Sequence, residues 1–283
     1  RSAVLTRFER EATTTASLRS PHTVDLYDFG RTELGDFFFV MELLEGDTLE
    51  ELVEHHGPLP PERVVHLLEQ ACASLAEAHA RGLVHRDLKP ANLMACRLGL
   101  EVDFLKVLDF GLVATVKEEG RDLKLTGENA ILGTPAYMAP EQGRGDPADA
   151  RSDIYALGCV AYWLLTGSTV FTREKPIPMI LDHIGTAPRP PSERTTQEIP
   201  ADLEALVMKC LAKEPADRPT GALDLGARLR RIVLATPWTP ERAGAWWEAH
   251  HHEGPDEPSP ETKTRDSGLA LDPALLPTVL AAR

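Results

Sequence analysis

The sequence predicts an α+β protein in which a small strand-bearing part precedes a larger, mostly helical one. Two runs near the start, VDLYDFG (24–30) and FFFVMEL (37–43), read as strands joined by the polar turn RTELGD. From residue 151 onward apolar residues recur at helical spacing instead, in RSDIYALGCVAYWLLTG, KPIPMILDHIG, ADLEALVMKCLAKE and GALDLGARLRRIVLA. No internal repeat is visible, and 283 residues are enough to bury a substantial core.

Taken in order, the chain opens on a helical stripe of Val4, Leu5, Phe8, Ala12, Ala16 and Leu18 that stops at Pro21. The two strands follow. A short helical patch, DTLEELVEH (47–55), ends at Gly57-Pro58. PPERVVHLLEQACASLAEAHARG (60–82) has strong helical periodicity, with proline at its start and glycine at its end. LVHRDLKPANLM (83–94) reads as a polar loop between apolar flanks, and FLKVLDFG (104–111) as a short strand. A polar, glycine-containing stretch runs to about residue 141, and the four helices follow. PERAGAWWEAHHH (240–252) adds a helix whose Trp246 and Trp247 suggest docking on an apolar patch of the core. Residues 253–268 turn to Pro, Glu, Asp, Ser and Thr, the composition of a disordered linker.

A net charge of −14 argues against nonspecific binding to nucleic acid or anionic membranes, which attract basic surfaces. It does not exclude a nucleotide held by a metal and a few local cations. Cys72, Cys96, Cys159 and Cys210 form no CxxC pair, so buried reduced thiols are expected and a zinc site is not. No apolar run approaches the ~18 residues that a membrane span needs; ALLPTVLAA (274–282) is interrupted by Pro277. His250, His251 and His252 are adjacent, point in different directions on a helix, and read as a surface tract.

The chemistry concentrates in HRDLKPAN, His85 to Asn92, followed by DFG at Asp109 and by Ala139-Pro140-Glu141. Each string alone is weak. Their order, spacing and placement in loops make the set specific, and the chain resembles a eukaryotic-type (Hanks-type) bacterial serine/threonine protein kinase. The resemblance runs from about residue 3 to 235, through SPHTVDLYDFG, FVMELLEGDTL, HRDLKPANLM, LDFGLV, GTPAYMAPEQ, DARSDIYALGC and PADRPT. It implies a bilobal fold with ATP and Mg²⁺ as cofactors and proteins with Ser or Thr acceptors as substrates. It also implies a cytoplasmic kinase domain, with room for a dimer that autophosphorylates in trans and for a membrane-anchored parent. Domain boundaries are expected at 1–44 for a partial N-lobe, 45–236 for the C-lobe, 237–252 for the appended helix and 253–283 for an acidic, Pro-rich tail.

The phosphoryl-transfer transition state spreads negative charge, so such a site works by positioning and electrostatics. By resemblance, Asp87 accepts the substrate hydroxyl proton, and Asn92 and Asp109 offer hard oxygens to Mg²⁺. Lys89 places an ammonium near the γ-phosphate, and Thr134 hydrogen-bonds across to Asp87 and Lys89. Lys89 and GTPAYMAPE together resemble the Ser/Thr branch. Met41 resembles the gatekeeper, with backbone groups of Glu42 and Leu44 bonding the adenine and Leu93 or Met94 beneath it. Glu141 and Arg218 resemble a structural ion pair, and Asp153 the helix aspartate that holds the HRD backbone. Arg86 is placed to meet an activation-loop phosphate, with Thr126 as the acceptor and Glu128 as a partial phosphate mimic.

FEREA resembles the helix that carries the glutamate partner of a strand lysine, and Glu11 is the match. Neither that lysine nor a Gly-rich loop occurs ahead of Glu11. The expectation is a fragment of a longer active kinase, poorly active by itself. The alternatives are a non-catalytic pseudokinase scaffold and a small-molecule phosphotransferase of the aminoglycoside type. The last is disfavoured by GTPAYMAPE, which suits a peptide acceptor.

Overall fold

The computed structural model describes residues 12–32, 37–110 and 134–250, and every structural statement below concerns those residues. Residues 12–16 are helical, with Ala12 and Leu18 buried. The chain then runs to the helical part, where backbone N–H groups of Arg19 and Ser20 donate to the Glu77 carboxylate at 2.6–3.0 Å. Strands β1 (Leu26–Arg31) and β2 (Phe37–Met41) form an antiparallel ribbon in which Phe29 faces Phe39.

A second sheet has the order β3 (Gly46–Thr48), β4 (Leu93–Leu98), β5 (Glu101–Val107), all antiparallel. The sequence reading predicted only β5 of these. Strand β3 carries the glycine-led tripeptide GDT, which has no alternation to recognise. Gly46 lies at φ 148°, and a Cβ there would come within 2.1 Å of the Ala95 carbonyl oxygen. Only glycine permits that approach. Strand β4 is LMACRL, whose middle is buried where an alternating strand would show polar residues. Its pairing with β5 overrides a weak local preference. Val24 N–H donates to the Val107 carbonyl at 3.0 Å, and Val107 N–H to that of His22 at 2.8 Å, so β5 also holds the segment ahead of β1.

Helix α1 (Leu49–His56) begins at a reciprocal cap between Thr48 and Glu51. Helix α2 (Pro61–Ala80) starts on proline, and the chain leaves it through Gly82 at φ 73°. A short helix α3 (Pro140–Arg144) precedes α4 (Ala150–Thr166), which is buried on nearly every side and forms the axis of the helical part. Helix α4 packs against α2, α6 (Ala201–Cys210) and α7 (Ala222–Leu229), while α5 (Pro176–Gly185) packs on α3. Helix α7 ends at Leu229, short of its predicted stretch; beyond it Ile232 and Leu234 still pack on the core while Val233 is exposed. The four cysteines are buried and unpaired.

Helix α8 (Pro240–His250) docks on α2 and β5, with Trp247 in the hydrophobic core and Trp246 packed against it, and polar groups share that seat. Trp246 stacks on the Arg63 guanidinium, 3.7 Å from its ring centroid. The indole N–H groups of Trp238 and Trp247 donate to the Asp103 carboxylate at 2.8 and 2.6 Å. Tryptophan suits this seat because it brings a large apolar face together with one donor. No described helix is long and apolar enough to cross a membrane.

Candidate active site

The loop between α2 and β4 is held from below by one carboxylate. Asp153, in the first turn of α4, accepts from the backbone N–H of His85 at 2.8 Å and of Arg86 at 2.9 Å. It also accepts from His79 Nε2 at 2.8 Å. A carboxylate can only accept, so Nε2 of His79 carries its proton. His79 was not singled out in the sequence, because one histidine in the last turn of a helix looks like any other.

Two further bonds lock the loop. His85 is fully buried, donates from Nε2 to the Leu108 carbonyl at 2.8 Å, and lies 5.0 Å from the buried Phe110 ring. Gln142 donates from Nε2 to the Arg86 carbonyl at 3.1 Å, tying α3 to the same turn. Arg86 and Asp109 both sit in the left-handed region, at φ 67° and 50°. That conformation costs about 1–2 kcal/mol in a non-glycine residue and persists here under these surrounding bonds.

Asp87 and Lys89 are partly exposed, with Nζ 3.3 Å from Asp87 Oδ2. The same ammonium lies 3.3 Å from Thr134 Oγ1. Thr134 therefore meets Lys89, and among the described residues it makes no hydrogen bond to Asp87. Asn92 spends its amide N–H on the Asp87 carbonyl at 2.8 Å, and the Asn92 carbonyl accepts from Leu108 N–H at 2.9 Å. The loop and the segment carrying Asp109 are thereby stitched together. The amide N–H bond to Asp87 leaves Oδ1 of Asn92 as an acceptor, and the Leu108 bond brings the segment that carries Asp109 alongside the loop. An amide oxygen and a carboxylate are the hard ligands that a small divalent cation takes, so these residues fit Mg²⁺.

The stretch after β2 is braced by an ion pair. Glu42 accepts from Lys106 Nζ at 2.6 Å and from Asp25 N–H at 2.8 Å, and its own N–H donates to the Asp25 carbonyl. Met41 is exposed and Leu44 half-buried. Leu93 and Ala95 are fully buried on one face of β4, and Met94 lies on the other. Glu11, Thr126 and Glu128 lie outside the described residues.

Glu141 and Arg218 form a two-bond pair at 2.7 and 2.8 Å, with Ser152 Oγ donating to Glu141 at 2.7 Å. Arg218 also donates to the carbonyls of Arg151, Ala212 and Lys213. Burial alone would raise the Glu141 carboxyl, but the bonds from Arg218 and Ser152 outweigh it and hold it below the usual carboxylate range.

This fold and this loop define a protein kinase. The protein kinase domain family matches residues 2–238, and the chain belongs to that family. It is 41% identical over 234 residues to serine/threonine-protein kinase PknB of Mycobacterium tuberculosis, covering 82% of this chain and 36% of that protein. It is 38% identical over 227 residues to serine/threonine-protein kinase pkn3 of Myxococcus xanthus, covering 80% and 42%. The chain thus spans well under half the length of these relatives. In fold it is similar to the PknI kinase domain of Mycobacterium tuberculosis, with TM-score 0.61, 24% identity, and 81% and 79% of the two chains covered. It is also similar to Rad53 in complex with AMP-PNP, with TM-score 0.63, 23% identity, and 78% and 53% covered.

Proposed function

We propose that this chain is the catalytic portion of a protein kinase that transfers the γ-phosphoryl group of ATP to Ser or Thr side chains of proteins. The observation that carries the reading is the Asp87–Lys89–Thr134 cluster on a loop fixed from below by Asp153. In this reading Asp87 receives the proton of the acceptor hydroxyl and aligns its oxygen for attack. Lys89 lies between Asp87 and Thr134, where one ammonium offsets charge on both the acceptor and the transferred group. Asn92 and Asp109 would hold Mg²⁺, which supplies charge neutralisation at the phosphates. Backbone groups of Glu42 and Leu44, at the end of β2, would hold the adenine, with Met41 and Met94 bordering it.

Relatives named serine/threonine-protein kinases, and a neighbour of like fold solved with AMP-PNP, support the substrate and nucleotide classes. The four buried, unpaired thiols support a reducing, cytoplasmic setting. Thr126 is the proposed autophosphorylation site, with Arg86 as the cation that receives its phosphate, in a reaction between two copies. Glu11 would pair with a lysine, and none stands ahead of it in these 283 residues. Slow transfer by this polypeptide alone is part of the proposal.

The test is γ-phosphate transfer from Mg-ATP to Ser- and Thr-containing acceptors. It uses this chain and its Asp87→Asn partner. Incorporation that depends on Asp87 and appears on Ser and Thr is expected. Equal incorporation with and without Asp87 would refute the role. No incorporation in any arm would favour a non-catalytic scaffold.

A further inference from the structure

A cavity of about 440 Å³ opens in the helical part, away from the loop described above. Its walls come from the segment after α4, the last turn of α5 and the loop that follows, and they carry Arg173, Arg189 and Arg194. The chain as a whole has a net charge of −14, so three guanidinium groups around one hollow are a local reversal of its character.

The acid in the wall is already committed. Asp182 accepts from Arg173 Nε at 2.5 Å and from Thr186 Oγ1 at 2.7 Å. That leaves Arg189, exposed, and Arg194, half-buried, without a carboxylate partner among the described residues. One buried donor in this wall is unsatisfied among the described residues, Nε of Arg194. A buried donor without a partner is costly, and an occupant with acceptor oxygens would remove that cost.

We propose that this cavity binds a phosphorylated Ser or Thr side chain of a peptide. A phosphomonoester brings about two negative charges and three acceptor oxygens, which suits the guanidinium groups of Arg189 and Arg194 in the cavity wall. The volume is many times the ~30 Å³ that one water occupies, so there is room for the charged group together with the side chain that carries it. A nucleic acid is disfavoured, because among the described residues lining the cavity two cations lack a carboxylate partner and the chain carries a net charge of −14. The choice of phosphoserine and phosphothreonine rests on the proposed kinase activity, whose product carries that group. Binding itself requires no turnover.

The test is fluorescence anisotropy with the full chain, using a labelled phosphothreonine peptide and its unphosphorylated twin. The proposal expects the phosphopeptide to bind at least tenfold more tightly than the twin. It expects Arg189→Gln to abolish that preference with unchanged circular dichroism and unchanged phosphoryl transfer to an unphosphorylated acceptor. Arg194→Gln should act in the same direction; Arg189 is exposed, so its variant keeps the test decisive if Arg194→Gln fails to fold. Equal binding of the two peptides, or a preference untouched by Arg189→Gln, would overturn the proposal. So would thermal stabilisation by inorganic phosphate equal to that by the phosphopeptide, which would assign the cavity to the free anion. Failure of the parent chain to prefer the phosphopeptide while transfer is intact would refute this inference alone, and absence of transfer with that preference intact would refute the kinase reading alone.

Discussion

Arg63 and Asp103 form a two-bond ion pair at 2.8 and 2.7 Å in which neither side chain reaches solvent. Taking both charges from water is costly, and the remaining valences of Asp103 are met by two indoles from the C-terminal segment. Asp103 belongs to β5, which leads directly into Asp109. The appended helix is therefore part of the packing that supports the site.

Asp103→Asn keeps a residue that tolerates the left-handed φ of 55° but removes the charge facing Arg63. Breaking a buried pair by removing one partner costs about 3–5 kcal/mol, so Tm should fall by about 10 °C. Ending the chain at residue 236 should destabilise it comparably, because Asp103 loses two donors and Arg63 loses its covering ring. Thermal unfolding followed by circular dichroism checks both; an unchanged midpoint would show that the helix is dispensable.

Asp153→Asn leaves one oxygen to serve three donors, the N–H groups of His85 and Arg86 and His79 Nε2. Asp153 is a positioning residue, so the expected loss is in kcat, tenfold or more, with KM for Mg-ATP little changed. His79→Phe should give a smaller loss of the same kind. A rise in KM with kcat preserved would contradict the assignment.

Arg218→Lys removes the fork that bonds Glu141 twice and reaches three carbonyls. Lysine cannot reproduce that geometry, and a loss of about 3 kcal/mol in denaturant unfolding is expected. Glu141→Gln should lose less, since Gln keeps an acceptor for Arg218. A variant as stable as the parent would remove Arg218 from the core.

His183 is fully buried, bonded through Nδ1 to the Tyr155 hydroxyl at 2.8 Å, with its affinity for a proton pushed down to about 4 by burial and then by Lys213. The unfolded chain takes up that proton near 6.5, the folded chain not until about 4. The unfolded state thus binds more protons between these values, and stability should fall as pH drops through that window. The slope due to this group approaches about 1.4 kcal/mol per pH unit. His183→Gln should flatten the dependence of Tm on pH between 7 and 5; an unchanged slope would mean that other groups cause it.

Much of this molecule is legible in contiguous residues. Helix α2 announces itself through its proline start, glycine exit and apolar spacing, and the HRD, DFG and Ala139-Pro140-Glu141 strings mark the loop chemistry before any fold is known. Strands β3 and β4 were missed because GDT and LMACRL carry little local preference and become strands only by pairing. His79 and Lys106 were missed for a related reason: their partners, Asp153 and Glu42, lie 74 and 64 residues away.

What the sequence determined by itself is therefore the short-range part: helical and strand periodicity, caps, and the order and spacing of the polar loop residues. These follow from backbone sterics and side-chain reach over a few positions, and adjacent residues encode them. The tertiary structure alone decided which buried charges meet. It gave Asp103 to Arg63 and two tryptophans, brought His79 to the Asp153 carboxylate that holds the loop, and left Arg189 and Arg194 beside a hollow whose one acid, Asp182, is bonded to Arg173. Such pairings are selected where water is excluded and an unpaired polar group is costly, a condition that exists only once distant segments have packed.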